Sequence, residues 1–357
     1  MSQVLKVAVV GLGIGMTHLK AFGDLPDQFS VRALCDINLA KAKQVAEETQ
    51  IPTAVAELDE LCGRDDIDVI DLCTPPHFHF QQSQQVLAAG KHVICEKPLT
   101  GSVREVDLLI EAERQSGKRL MPIFQYRFGH GVQKLKHLIS MGLAGKAYLT
   151  TVETAWRRRA EYYAEPWRGK WSTEMGGCLL GHAIHAHDIL TYVAGPIRSV
   201  FARTATRVNP IETEDCASAS LLMSDGSLAS LSATLGSCDE VTRHRFCFSG
   251  FSAESNTRPY TNTRDPWKFT GDSPAISERI EEALSSFIPE PEIYTGQFTR
   301  YYRAIKTDSD LPVTLADARA ALELITALYY SAETGQAVDL PLTADHPRYS
   351  SWIPGQH

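Results

Sequence analysis

The sequence lacks paired cysteines, long apolar runs and a strong excess of charge of one sign. None of its eight cysteines belongs to a C-x-x-C pair, and several lie in apolar, strand-like runs where a thiol packs as a small hydrophobic side chain. This cysteine usage favours a protein of the reducing cytoplasm.

The charged residues are nearly balanced, with 35 Lys and Arg against 43 Asp and Glu. Because the net charge of −8 is scattered and no basic face is present, nucleic acid is not an expected partner. The longest apolar runs fall far short of the roughly 20 residues that span a bilayer, and the N-terminus lacks the pattern of a signal peptide. We therefore expect a soluble, unexported protein that acts without a membrane.

A chain of 357 residues with 43% hydrophobic content can bury two sizeable cores, so two domains are expected. In the first, nearly all-apolar strands alternate with amphipathic helices. This pattern predicts an α/β domain, a Rossmann-type doubly wound parallel sheet, over residues 1–124. Its strands are predicted at residues 5–10, 31–35, 69–73, 92–95 and 119–124.

The remainder, residues 125–357, has strands that alternate with a period of two residues. The pattern predicts an α+β domain with a large, open, mostly antiparallel sheet. Residues 252–274 are polar and are predicted to form a long surface loop. An amphipathic helix at about 316–334, stopped by Gly335, is expected to close the fold by packing back on the rest of the chain. The strands of this domain are predicted at residues 148–155, 197–206, 217–223 and 227–235.

A glycine-rich turn joins the first strand to the first helix. Gly11 and Gly13 let the backbone turn sharply and approach a pyrophosphate, whose charge is met by the amides and dipole of the following helix. The turn departs from G-x-G-x-x-G, because Met16 holds the last position and Gly15 comes one residue early. An ordinary tight turn is the alternative, but the flanking strand and helix favour dinucleotide binding.

Asp36 follows the second predicted strand. A carboxylate at that position accepts hydrogen bonds from both hydroxyls of an adenosine ribose. It also repels a 2′-phosphate, and no arginine follows it closely. The sequence therefore predicts NAD, rather than NADP, as the cofactor.

Four motifs resemble the glucose-fructose oxidoreductase, inositol dehydrogenase and rhizopine-catabolism (Gfo/Idh/MocA) family. They are C-T-P-P-H-F-H at 73–79, A-A-G-K-H-V-I-C-E-K-P at 88–98, Y-R-F at 126–128 and S-A-E-T-G-Q-A-V at 331–338. The resemblance covers nearly the whole chain and implies a nucleotide-binding domain followed by a C-terminal α/β substrate domain. It also implies a homodimer or homotetramer formed through the C-terminal sheet, and substrates that are sugars, cyclitols or their derivatives.

By this resemblance Lys97 lies at the floor of the site, near the substrate hydroxyl and the nicotinamide ribose, and a cis bond precedes Pro98. A buried ammonium beside a cationic nicotinamide would have a lowered pKa and could stabilise an alkoxide. The residues expected to bind NAD are Gly11, Gly13, Ile14, Gly15, Asp36, Thr74, Pro75, His79, Glu96 and Lys97.

The segment G-H-A-I-H-A-H-D at 181–188 resembles the family's catalytic helix, D-x-x-x-H-x-x-D, with Gly181 in place of the first aspartate. On one helix His182, His185 and Asp188 would share a broad face, and His187 would point away from it. We therefore expect His185 to be the catalytic acid/base, with His182 as a second catalytic candidate and His187 as a structural residue.

A metal site is the alternative for this segment, built from Cys178 and the three histidines. Their directions on one helix diverge too far for a tetrahedral site, and no H-E-x-x-H element supplies further ligands. We expect no metal.

Residues 156–171 are dense in aromatic and cationic side chains. Aromatic faces stack on pyranose rings and arginines hold hydroxyls or an anionic group, although a strand end and an anchoring loop would use the same residues. The residues expected to bind substrate are Lys97, Arg127, Arg157, Trp167, Arg168, His182 and His185.

These features predict an NAD-dependent dehydrogenase of a sugar, cyclitol or glycoside. Two alternatives remain. One is a glycoside-cleaving enzyme that oxidises its substrate transiently and returns the hydride. The other is a non-catalytic sensor or binding protein, against which the intact Lys97 and His185 argue.

Overall fold

The computed structural model describes residues 4–355, which form two compact units. The first comprises residues 4–124 with Tyr294–Arg319, and the second comprises Gln125–Ile293 with residues 320–355. The strands are β1 (Leu5–Val10), β2 (Phe29–Cys35), β3 (Thr53–Val55), β4 (Val69–Leu72), β5 (His92–Cys95), β6 (Leu120–Pro122), β7 (Ala147–Arg157), β8 (Ile197–Ala205), β9 (Cys216–Met223), β10 (Leu228–Thr234), β11 (Gly236–Phe248), β12 (Phe251–Glu254), β13 (Lys268–Gly271) and β14 (Val338–Asp339). The α-helices are α1 (Gly15–Gly23), α2 (Leu39–Thr49), α3 (Leu58–Cys62), α4 (Pro76–Ala88), α5 (Val103–Ser116), α6 (His130–Ser140), α7 (Trp171–Glu174), α8 (Ile184–Ala194), α9 (Pro274–Ser285), α10 (Ile293–Thr307) and α11 (Leu315–Thr334).

The first unit contains a parallel six-stranded sheet in the order β3-β2-β1-β4-β5-β6. All four residues of β4 are buried, and three of them are apolar, as expected of a parallel strand that is covered on both faces; the exception is Asp71. The strand order reverses between β1 and β4, so the carboxyl ends of the strands border a crevice there. The turns after β1, β2, β4 and β5, which carry the predicted cofactor residues, all lie at this edge of the sheet.

The segment Tyr294–Arg319 belongs to the first unit, so its assignment to the second domain from sequence was wrong. Phe298 of α10 is fully buried and stacks on Phe22 of α1 at 4.3 Å, and the Gln297 amide donates to the Pro122 carbonyl at 2.8 Å. The amphipathic pattern of α10 identifies a helix but not the core against which it packs.

The second unit contains an eight-stranded sheet in the order β13-β12-β11-β7-β10-β9-β8-β14. Its neighbours are antiparallel except for β7 and β10, which confirms the predicted mostly antiparallel sheet. Along β10, Ala229, Leu231 and Ala233 are buried while Ser230 and Ser232 are exposed, so one face of the central strands is open.

The prediction of a surface loop at 252–274 was wrong in part, because β12 and β13 pair within it. Although the segment is polar on average, its few apolar residues reach the core cluster: Ala253 is fully buried, Trp267 is buried and Phe269 packs against them. Because the segment is polar on average, the short alternation of buried and polar residues in β12 was not recognised in the sequence.

Helix α11 begins at Leu315, one residue before the predicted start, and ends at Thr334; Gly335, which follows it, has a φ of +70°. Glycine suits this position because the left-handed conformation is strained for other residues. Within residues 4–355, no helix is long and apolar enough to cross a bilayer.

Candidate active site

The glycine turn is built for close approach of a ligand. Gly11 has a φ of +89°, and an added Cβ would lie 2.7 Å from the Cys73 carbonyl oxygen. At Gly13 an added Cβ would meet open space, and the side chain of the N-cap residue Ile14 makes no capping hydrogen bond to α1. Gly15 packs so closely that a Cβ would lie 3.0 Å from Val9, so it provides the helix–strand contact of the usual third glycine. Free space beside uncapped helix amides fits a pyrophosphate.

Asp36 links the end of β2 to this turn. Its Oδ2 accepts a hydrogen bond from the Leu12 amide at 2.9 Å and its Oδ1 accepts one from the Asn38 amide at 2.9 Å. Lys41 Nζ lies 3.9 Å from Oδ2. The carboxylate is therefore fixed beside the turn, at the position expected for a ribose contact. Ile14, at the start of α1, is 44% exposed, as a residue that covers a cofactor would be.

The turn after β4 is tied to the turn after β5 through His79. The two ring nitrogens of this buried side chain lie 2.8 Å from the carbonyl oxygens of Pro98 and Thr74. The Thr74 hydroxyl donates to Gln82, and Pro75 precedes the first turn of α4. His79 thus supports the cofactor loops through their backbone, which is a different contribution from the direct contact that the sequence suggested.

Glu96 and Lys97 follow β5. Glu96 is buried, and its Oε2 accepts a hydrogen bond from the Lys97 amide at 3.0 Å, whereas Lys97 is half-buried. The peptide bond between Lys97 and Pro98 is cis, as the resemblance implied. The ammonium therefore belongs to a well-supported turn at the carboxyl edge of the sheet.

The histidine segment of the second unit is not one continuous α-helix. Residues Cys178–His182 form a π-helical turn and α8 begins at Ile184, so the predicted common face of His182 and His185 was wrong. His182 meets Trp156 edge-on at 5.6 Å and Tyr162 at 5.5 Å. His185 instead stacks on Tyr126 at 4.5 Å and 14°, which fixes the plane of its ring.

A buried ion pair sets the orientation of α8. Arg127 donates from Nε and Nη2 to the two carboxylate oxygens of Asp188, at 2.8 and 2.6 Å. Its guanidinium also lies 4.7 Å from the centre of the Tyr192 ring. Because the turn that carries Arg127 also carries Tyr126, this pair and the stacking on His185 act together. Arg127 is thus held within the second unit by Asp188 and Tyr192, and the substrate contact expected from sequence stays a prediction.

The π-helical turn is anchored by Glu214. Its carboxylate accepts hydrogen bonds from the amides of Gly177 and Leu179, at 3.0 and 2.9 Å, and from the Tyr329 hydroxyl at 3.0 Å. Burial raises the pKa of Glu214 to about 7, although these hydrogen bonds oppose the shift. A Cβ at Gly177 would lie 1.7 Å from the Glu214 carbonyl oxygen, so only glycine allows this approach. The pair Gly176-Gly177 was the signal in the sequence for a break in the helix.

Comparison with known proteins identifies the family. The family model described as "Oxidoreductase family, NAD-binding Rossmann fold" matches residues 5–124, and the GFO/IDH/MocA C-terminal domain matches residues 132–251. The chain belongs to the Gfo/Idh/MocA family. Its first unit is thus an NAD-binding Rossmann domain, which confirms NAD as the predicted cofactor.

Relatives extend the match over almost the whole chain. An oxidoreductase of Synechocystis is 30% identical over 243 residues, which are 63% of this chain and 64% of that protein, slightly under two thirds of its length. The D-glucoside 3-dehydrogenase of Escherichia coli is 26% identical over 367 residues, with 95% of this chain and 98% of that protein covered. The crystal structure of the WlbA dehydrogenase from Bordetella pertussis in complex with NADH and UDP-GlcNAcA has a TM-score of 0.84 and 26% identity, and covers 96% of this chain and 100% of its own.

The chain departs from the Gfo/Idh/MocA catalytic pattern at Gly181. A side chain added there would have Glu174 Oε1 as its nearest neighbour, 3.9 Å from the Cβ. Glu174 is buried, and its other oxygen accepts a hydrogen bond from the Gly169 amide. A carboxylate therefore does lie beside this position, although it comes from seven residues earlier in the chain.

The arginines of the cationic and aromatic stretch, residues 156–171, make two types of contact: polar contacts with the backbone or a carboxylate, and contacts with aromatic rings. Arg159 donates to the Leu235 carbonyl at 2.8 Å, and Arg158 forms an ion pair with Glu240. Both contacts hold the segment that follows β7 in place. Arg168 lies 3.8 Å from the centre of the Tyr162 ring and 4.3 Å from that of Trp167.

Arg157 is exposed, and Trp167 is 39% exposed. Arg168 and Trp167 are joined through Tyr162 to His182. Of the predicted substrate residues in this stretch, they have the placement that fits the prediction best.

Among residues 4–355, one group offers three potential metal-ligand atoms close together: His18, Asp71 and Cys73, all buried. It does not include Cys178 or the histidines of the π-helical turn and α8. The short contact of 2.8 Å between His18 and Asp71 has the geometry of a hydrogen bond.

His187 of α8 and His244 of β11 are buried and favour their neutral forms. Burial and the neighbouring His244 lower the pKa of His187 to about 3, and burial lowers the pKa of His244 to about 4 despite its contact with the Ala186 carbonyl. The Asn262 amide donates to Nδ1 of His244, whose Nε2 lies 3.0 Å from that carbonyl. This arrangement fits the structural role predicted for His187.

These shifts predict acid destabilisation of the second unit. The ordinary histidine pKa is 6.5. Below about pH 6.5, His187 and His244 therefore bind protons in the unfolded chain but stay neutral in the folded protein. The stabilisation is complete above that pH and is lost as the pH falls towards 4 and 3. His244→Gln should reduce the loss of unfolding free energy between pH 7.5 and 5 by about 1–2 kcal/mol. Urea denaturation followed by tryptophan fluorescence measures this difference.

His77→Gln serves as the matched control, because His77 is exposed. It should leave the pH dependence unchanged. Parallel curves for the wild type and His244→Gln would contradict the burial argument.

Proposed function

We propose that the protein oxidises a hydroxyl-bearing carbon of a sugar, cyclitol or glycoside with NAD as the hydride acceptor. The observation that carries the proposal is the Glu96-Lys97-Pro98 turn at the carboxyl edge of an NAD-binding sheet, where it offers an ammonium beside the expected nicotinamide. The names of the E. coli and Bordetella relatives support a carbohydrate substrate.

Bound NAD would supply the electrophilic ring that accepts the hydride. The residues around the glycine turn would hold its pyrophosphate, and Asp36 would hold the adenosine ribose. Lys97 Nζ donates a hydrogen bond to the substrate oxygen and stabilises the alkoxide, while the imidazole of His185 accepts the hydroxyl proton. Stacking on Tyr126 and the ion pair of Arg127 with Asp188 keep that imidazole in place.

Arg168 and Trp167 are proposed to contact the sugar ring, with Arg157 and His182 as further contacts. A planar guanidinium in contact with two aromatic rings is preorganised to bind hydroxyls or an anionic substituent. The open face of the C-terminal sheet remains the predicted surface for a homodimer or homotetramer.

Cofactor choice tests the role of Asp36. NAD should bind at least about tenfold more tightly than NADP, about 1.4 kcal/mol, because the carboxylate repels a 2′-phosphate. Asp36→Ala should narrow this gap mainly by weakening NAD, since the Leu12 and Asn38 amides lose their acceptor as well. Calorimetric titration with each dinucleotide measures both effects.

Asp27→Ala, at an exposed position, is the control and should change neither affinity. Equal affinity of the wild type for the two dinucleotides would remove Asp36 as the selecting residue.

The proton-handling proposal predicts that Lys97→Ala and His185→Ala each lower turnover by roughly a hundredfold or more. Because the two groups act on one proton, the double variant should be little worse than the worse single one. Steady-state kinetics, with circular dichroism and NAD titration to confirm folding and binding, provide the measurement.

Lys43→Ala, at an exposed position in α2, and His187→Gln are the controls and should retain most activity. A fully active His185→Ala enzyme would move the proton acceptor elsewhere, and His182 would be the next candidate.

A further inference from the structure

A buried charged network in the first unit is not used by the mechanism above. His18 Nδ1 lies 2.8 Å from Asp71 Oδ2, and His18 Nε2 lies 3.1 Å from Glu96 Oε1. The side chains of His18 and Asp71 are 0% exposed and that of Glu96 is 5% exposed. A single imidazole therefore bridges two carboxyl groups in the protein interior.

The chemistry of this bridge requires charge. A neutral imidazole has one N–H, whereas donation to two carboxylates requires both ring nitrogens to carry a proton. Burial alone would lower the pKa of His18. The charge of Asp71, the nearby Cys73 and the hydrogen bonds to both together raise it by more, so the pKa of His18 lies well above its ordinary value. An imidazolium between the two carboxylates supplies one hydrogen-bond donor to each of them.

The network connects the helix that follows the glycine turn with the turn that carries Lys97. His18 belongs to α1, which starts at the glycine turn, and Asp71 lies in β4. Glu96 directly precedes Lys97 and accepts its amide hydrogen through Oε2 at 3.0 Å.

Tyr294 of α10 completes the network. Its hydroxyl donates to Glu96 Oε1 at 3.1 Å, and its ring centre lies 4.6 Å from that of His18. Both oxygens of Glu96 are therefore fixed by contacts within the first unit.

We propose that His18 is a positioning residue for Lys97: as a bridge between Asp71 and Glu96, it holds the turn that carries the ammonium. The inference rests on the proposed role of Lys97. Without His18, the buried carboxylates of Asp71 and Glu96 would lose the cation that bridges them, so Glu96 would shift or take up a proton. Either change alters the position and the electrostatic surroundings of Lys97. A displacement of a catalytic group by about 1 Å is enough to lower rate by roughly a hundredfold.

The first test reads the charge of His18 directly. In the whole enzyme labelled with nitrogen-15 histidine, the His18 signals are assigned by their loss in His18→Gln. Both ring nitrogens should still show protonated shifts at a pH where an ordinary histidine is neutral. They should not change on chelation, since the network holds protons and no ion. One bare ring nitrogen at that pH, or a shift on metal removal, would overturn the proposal.

The second test separates positioning from general stability. His18→Gln should lower kcat at least about tenfold while the affinity for NAD changes less than about threefold. It should also change the pH profile with which an amine-specific reagent modifies Lys97, read by peptide mass spectrometry in the absence of NAD. Tyr294→Phe, which removes one donor to Glu96, should show the same changes in weaker form.

Tyr301→Phe is the matched control, because this buried hydroxyl of α10 has no hydrogen-bond partner within residues 4–355. It should leave kcat and Lys97 labelling unchanged. An active His18→Gln enzyme with unchanged Lys97 labelling, beside an inactive Lys97→Ala enzyme, would refute the positioning role alone. An active Lys97→Ala enzyme would instead refute the proposed function.

Discussion

The reversal of strand order between β1 and β4 is the constraint on which the nucleotide site depends. Because the strands are parallel, every carboxyl end lies at one edge, and the reversal separates the loops there into a crevice. Residues far apart in sequence, such as Gly11, Asp36 and Glu96, reach that edge without a long connecting segment. The sheet thus positions the site before any side-chain contact contributes to it.

Buried polar contacts then fix the functional side chains. The bridge of His18, the ion pair of Arg127 with Asp188 and the anchoring of the π-helical turn by Glu214 each hold a short turn rather than a whole helix. Such contacts are costly to break on one side, because the remaining group is left buried without its partner. They therefore restrict the motion of the neighbouring Lys97, His185 and His182, as a preorganised site requires.

Local patterns were sufficient to predict most of the first unit from the sequence. The amphipathic helices expected between its strands include α2 and α5, whose local signals are clear because Asn38 and Ser102 cap them and their periodicity is regular. The histidine segment was harder, because a π-helical turn depends on Glu214, which lies far along the chain. Likewise, no local signal tells that α10 packs on Phe22, that Arg127 is committed to Asp188, or that Glu174 lies beside Gly181.

The most direct test of the account compares the amount of oxidised product with the amount of NADH formed in one reaction mixture. The protein and NAD are incubated with a mixed set of sugars, cyclitols and glycosides, and products are identified by mass spectrometry while the absorbance of NADH is followed. The account predicts one compound that loses two hydrogens, with one NADH formed for each molecule oxidised. Cleaved aglycone without accumulated NADH would contradict net oxidation and support the glycoside-cleaving alternative.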